Sequence, residues 1–105
     1  MSTNRENVTW QNQAGKWRNG FYPFSYVNQD SPDFDYEWDV EYNYDRLTAV
    51  SREFATADEA YEQNTKGMSN PGGTYQVPFT EANRTEIERL ERLAAEYRER
   101  QQAAR

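Results

Sequence analysis

Between Asp33 and Asp45 every odd position is polar, and every even position is apolar or aromatic. Asp33, Asp35, Glu37, Asp39, Glu41, Asn43 and Asp45 alternate with Phe34, Tyr36, Trp38, Val40, Tyr42 and Tyr44. A period of two sorts side chains onto the two faces of a β-strand and is incompatible with a helix. One face of such a strand would be almost purely anionic, although like charges side by side on a sheet face repel. Same-face residues lie roughly 6.6–6.8 Å apart. Phosphates along one strand of B-DNA are spaced on a similar scale, given about 3.4 Å of axial rise per nucleotide plus the helical path. A carboxylate ladder at this pitch would suit the Lys- and Arg-lined groove of a nucleic-acid-binding protein. The bland alternative is a solvated face whose charges protect a sheet edge from aggregation. The aromatic face is expected to be the core side of the sheet, lying under a helix.

A chain of 105 residues allows one small domain with a modest core. Leu, Ile, Val and Phe contribute only 14 residues, whereas three Trp, eight Tyr and five Phe supply rings that each hide roughly 150–250 Å². An ordered centre with polar ends is therefore expected. The net charge of −6 is concentrated: residues 19–45 hold seven acids and no Lys or Arg, while residues 81–105 balance six acids against six arginines. Such a segment repels nucleic acid and attracts basic surfaces.

The chain contains no Cys and no His, which excludes disulfides, thiolate metal sites and histidine-based catalysis. The carboxylates alone could meet the spacing of glycosidase pairs, but such chemistry also needs an acid of raised pKa in a cleft. A calcium loop through Asp30, Asp33 and Asp35 lacks the glycine that lets such a loop turn. No cofactor or metal is expected, and the chain reads as a non-enzyme. With no apolar leader at the start and no long apolar run, a soluble, cytoplasmic protein that does not contact membranes is expected.

Residues 1–13 read as a polar N-terminal arm, with Val8 and Trp10 available to dock onto the body; Trp10 and Trp17 are also candidate exposed anchors for a partner. Residues 14–68 read as a ββ(β)α domain. An edge strand over Lys16–Val27 tolerates Pro23, a loop follows at Asn28–Pro32, the alternating strand comes next, and a third strand runs Leu47–Phe54. Thr56 with Glu59 makes a capping box for a helix over Ala57–Lys66, with Gly67 as its stop. Residues 69–80 read as a Pro/Gly linker and an extended segment. Residues 81–105 form a helix capped by Thr80, with an apolar stripe of Ile87, Leu90, Leu93, Ala94 and Tyr97. This helix is expected to fold back over the sheet, with homodimerisation through it as the alternative.

Trp38-x-Val40-x-Tyr42, Thr48, Arg52-x-Phe54-x-Thr56 and Glu59-Ala60 together resemble the arm-type, AP2-like N-terminal DNA-binding domain of phage integrases. The resemblance covers residues 38–62 and implies three strands followed by one helix. In that family the exposed sheet face carries basic and polar residues into the DNA major groove. The corresponding positions here are Glu37, Asp39 and Glu41, with Arg46 and Arg52 the nearby cations. In overall character the chain is also similar to the small acidic accessory inhibitors of phages and mobile elements.

The combined expectation is an α+β fold: a three-stranded antiparallel sheet, a short helix and a longer C-terminal amphipathic helix. Function is expected to be binding of a basic surface on a partner protein through Asp33, Asp35, Glu37, Asp39, Glu41 and Asp45. Inhibition of a nucleic-acid-binding protein by charge mimicry would be its specific form. Direct nucleic-acid binding of the integrase-arm type, through Arg46, Arg52 and the basic N-terminal arm, is the alternative.

Overall fold

Asn7, Val8, Thr9 and Trp10 are all fully buried, and a strand can bury four consecutive residues only when both of its faces are covered. They form β1 (Asn7–Gln11), in a computed structural model that describes residues 6–69 and 71–104. The expected polar arm is thus, from Asn7 onward, an inner strand. A hairpin leads to β2 (Trp17–Phe21), which pairs antiparallel with β1. Asn12 builds that turn: its Oδ1 accepts the amides of Ala14 and Lys16, and Gly15 supplies a φ of 81°.

The expected single strand over Lys16–Val27 breaks at Tyr22–Pro23. Beyond the proline, β3 (Phe24–Tyr26) leaves the main sheet and pairs antiparallel with β4 (Val40–Tyr42) in a separate two-stranded ribbon. Proline has no N–H to continue a ladder, so it marks the point where the chain changes sheets. The expected long strand over Asp33–Asp45 is confined to β4, and residues 29–38 are mainly turns. The third strand shrinks to β5 (Ala49–Val50) plus a single bridge from Phe54 to Trp17.

Thr56 caps the helix as expected, but the Glu59 carboxylate accepts from the Thr56 hydroxyl at 3.0 Å and not from a backbone amide, so only half of the expected capping box is formed. The Thr56 Oγ1 accepts the Glu59 amide at 3.2 Å and starts α1 (Ala57–Asn64), while Gly67 follows the helix at φ 88°. Then β6 (Tyr75–Val77), read from sequence only as extended, adds parallel to β1. The main sheet is therefore mixed and four-stranded, in the order β5-β2-β1-β6. Thr80 caps a 3₁₀ turn over Glu81–Asn83 that runs into α2 (Arg84–Ala103).

The two helices cover opposite faces of this sheet. Val8 and Trp10 point toward α2, whose Ile87, Leu90, Leu93 and Ala94 complete the apolar core with Leu47 and Val77. The stripe on α2 thus packs within the chain, as the folding-back expectation had it. Trp10 also donates its indole N–H to Glu91 Oε2 at 2.7 Å. At about 25 cal/mol per Å², burying a ring of roughly 200 Å² is worth about 5 kcal/mol.

The other face of the same strands is polar. Asn19 Nδ2 donates to Asn7 Oδ1 (3.0 Å), the Val8 carbonyl (3.2 Å) and Thr9 Oγ1 (2.9 Å), and Asn19 Oδ1 accepts from Asn64 of α1 (2.8 Å). Asn7 and Thr9 reach on to Gly73 and Thr74 ahead of β6. Buried polar groups satisfied in this way escape the desolvation penalty of about 1–3 kcal/mol that each would otherwise impose.

Gly20 marks the tightest place in the core. A Cβ there would lie 3.1 Å from both Leu47 methyls and 3.2 Å from Trp10 Cζ3, and both neighbours are fully buried. Gly20→Ala is expected to destabilise the fold by about 1–3 kcal/mol, read as a lowered urea midpoint at unchanged slope. A midpoint within error of the parent would show that Leu47 and Trp10 can give way.

Candidate functional site

The acidic segment is shaped by its own carboxylates. Asp35 Oδ1 accepts the Glu37 amide at 2.8 Å, the Asp35 carbonyl accepts the Asp39 amide at 2.8 Å, and Asp39 Oδ2 accepts the Asp35 amide at 2.8 Å. Ser31 and Asn43 make similar side-chain bonds to the amides of Asp33 and Asp45. Asp, Asn and Ser favour turns because their short side chains compete for nearby backbone N–H groups. The two-residue alternation therefore comes largely from turn-forming residues. The evenly pitched carboxylate ladder expected from it is absent: of the six candidates only Glu41 lies on a strand, opposite Ser25.

The six candidates nevertheless reach solvent. Asp33, Asp35, Glu37, Glu41 and Asp45 are exposed, and Asp39 is half-buried. Among the described residues none of the six is within 4.0 Å of an Arg or Lys nitrogen; the ion pairs join Arg18 to Glu53 and Glu91, Arg84 to Glu81 and Glu88, and Arg89 to Glu86. Nor does any group of three or more acidic side chains among these residues converge closely enough to hold a metal ion.

Most of the aromatic residues that alternate with these acids lie outside the core, contrary to expectation, while Tyr42 is half-buried and packs against it. Tyr36 is 73% exposed, Trp38 64% and Phe24 51%, and Tyr44 is also open to solvent. The reason is the ribbon: without a continuous strand from 33 to 45, no helix can cover that face. The rings pack on one another instead. Tyr26 meets Phe24, Phe34 and Tyr36 edge to face at centroid distances of 5.4, 6.0 and 5.5 Å, and Phe24 lies 5.7 Å from Tyr42. Trp10, a candidate exposed anchor, is in the core, and Trp17 is half-buried.

A groove of about 630 Å³ opens between the ribbon and the main sheet. Phe24, Tyr26, Val40 and Tyr42 line it from the ribbon, Phe21 and Ala49 from the main sheet, and Tyr36 from the loop. Its only charged lining residues, among those described, are Glu6 and Glu37. Residues from five separate stretches meet here, and no local signal in the sequence announces that meeting.

Tyr42 ties the ribbon to the start of the chain. Burial, reinforced by the charge of Glu6 and a hydrogen bond to it, pushes the Tyr42 hydroxyl up to about 12. Tyr22 is also raised, mainly by burial and against the lowering influence of a hydrogen bond from Arg89.

No protein-family model matches this chain, and no significant match was found among curated proteins or solved structures. The stretch resembling the integrase arm domain, residues 38–62, places its strands in two different sheets: β4 pairs with β3 and β5 with β2.

Because Tyr42 keeps its proton in the fold up to about pH 12 while an unfolded tyrosine loses it near 10, its contribution to stability is intact below pH 10. That contribution is lost as pH rises through 12. An alkaline titration followed by tyrosinate absorbance should show a late-ionising hydroxyl that Tyr42→Phe removes. The variant should also lose less stability than the parent between pH 10 and 12. Ionisation of all eight tyrosines together near 10 in the still-folded protein would count against this environment.

Proposed function

We propose that this chain is a non-enzymatic binding protein that engages a basic surface of a partner protein through its acidic and aromatic segment, Phe24–Asp45. The observation that carries the reading is the coexistence, in one exposed segment, of large solvent-facing rings and carboxylates that pair with no Lys or Arg among the described residues. Exposed apolar patches with polar rims mark interaction surfaces.

The two residue types divide the work. Individual ion pairs at an exposed surface are worth only about 0.2–1 kcal/mol and are screened beyond roughly 8 Å at physiological salt. The carboxylates therefore act mainly by steering encounter and rejecting acidic competitors. Affinity has to come from burying rings such as Tyr36 and Trp38, each offering roughly 150–250 Å². A protein that normally holds nucleic acid carries the required basic surface. Competition with its nucleic acid would then arise from shared charge and not from a copied phosphate spacing.

Polylysine is a suitable basic probe, measured by calorimetry over a salt series. Asp33, Glu37 and Glu41 are the positions to reverse, because their carboxylates make no hydrogen bond that shapes the loop, unlike those of Asp35 and Asp39. The triple variant D33K/E37K/E41K should weaken binding about tenfold or more while keeping the fold, as surface changes usually cost under about 0.5 kcal/mol each. The triple E62K/E96K/E99K, which changes net charge equally at other exposed positions, should bind nearly as the parent does. Equal weakening by both triples would reduce the effect to overall charge and sink the proposal. A steeply salt-dependent shift of duplex DNA by the parent would favour the integrase-arm alternative through Arg46 and Arg52.

A further inference from the structure

Among the described residues, the groove between the ribbon and the main sheet is lined by rings and by the acids Glu37 and Glu6, with no Lys or Arg, and that combination is selective. Apolar walls alone would accept any hydrophobic side chain, and carboxylates alone any cation. Aromatic faces combined with carboxylates favour a cation that can also lie flat on a ring. Tyr36, Tyr26, Phe24 and Tyr42 form a continuous run in which neighbours are inclined by 79°, 82° and 51°. The first two pairs meet edge to face and the third is tilted, so ring faces and ring edges are both presented along the run. Glu37 lines the same space beside Tyr36, and Glu6 lines it beside Tyr42. The volume of about 630 Å³ falls within the span of roughly 300–1,000 Å³ usual for binding clefts.

We propose that this groove receives an arginine side chain from an extended basic segment of the partner, its guanidinium stacked on the Tyr26–Tyr36 wall and its N–H groups directed to Glu37. Charge complementarity selects a cation, and the rings select which one. The guanidinium is planar, weakly hydrated and presents its donors in the plane of the group, so it can stack and hydrogen-bond at once. An ammonium is compact and strongly hydrated, and gives up more to leave water. In an open groove whose rings are 39% (Tyr26) and 73% (Tyr36) exposed, that difference sets the preference. The inference rests on the proposed basic partner and adds the identity of the anchoring side chain.

Two flexible peptides of equal length and charge, one alternating arginine with glycine and the other lysine with glycine, separate the two claims when titrated into the full chain at low salt. The arginine peptide should bind about five- to tenfold more tightly. Tyr36→Leu, at an exposed position, should bring the ratio close to one while leaving salt-dependent binding of both peptides. Trp38→Leu, equally exposed but outside the groove, should preserve the ratio. Circular dichroism checks that both variants remain folded, and Glu37→Gln in the unaltered ring wall provides a second variant that should also reduce the ratio. Equal affinity of the parent for both peptides would overturn the arginine assignment yet leave the acidic binding surface standing. So would a ratio that survives both Tyr36→Leu and Glu37→Gln. Failure of the parent to bind either peptide would overturn both.

Discussion

Double-sided burial of Asn7, Val8, Thr9 and Trp10 is the constraint on which the other elements depend. Trp10 closes the face toward α2 and Asn19 gathers Asn7, Thr9 and Asn64 on the face toward α1. A small chain with few aliphatic residues cannot build two apolar layers. It builds one apolar layer around a tryptophan and one layer of mutually satisfied amides and hydroxyls. The second layer adds little through the hydrophobic effect, but it fixes register, because an amide network with several fixed partners tolerates no slip of one strand against another.

The polar layer also explains what could and could not be read in the sequence. Local devices were legible because their chemistry is contained within a few residues. Thr56 caps α1, Gly67 follows its end, Thr80 opens the last helical stretch, and the stripe from Ile87 to Ala94 packs onto the sheet. Asn7–Gln11 was not legible as a central strand, although Val8 and Trp10 alternate with Asn7 and Thr9. Its polar residues suggested a wet face, and only the distant partners Asn19, Asn64, Gly73 and Thr74 make their burial tolerable.

The opposite error occurred at the candidate site. Strict alternation from Asp33 to Asp45 outweighed the poor strand propensity of Asp and Asn, whose side chains bond to nearby amides more readily than they sit in a ladder. Asp35, Asp39 and Asn43, four residues apart, each do so. Most of the acids expected to be exposed are at the surface, but Tyr36, Trp38 and Tyr44 of the aromatic face expected to be core are at the surface with them, while Tyr42 packs against the core. Period two describes which side chains sort together only when the backbone is extended.

An isolated two-stranded ribbon is marginal in water, so β3 and β4 need an external hold that does not consume the carboxylates. Two arginines of α2 supply it through neutral acceptors. Arg89 donates to the Tyr44 carbonyl at 2.6 Å, beside Asp45, and spends its charge on Glu86 of its own helix at 2.8 Å. Arg100 takes the Leu47 carbonyl at 2.7 Å. At the other side the Glu6 carbonyl accepts the Tyr22 amide and the Glu6 side chain meets Tyr42. Both arginines thus grip the backbone at the foot of the ribbon, and among the described residues no Lys or Arg forms an ion pair with the acids of the loop above it. The fold stabilises the position of that loop but not its charge, and this is the arrangement required if the compensating cations are to come from another molecule.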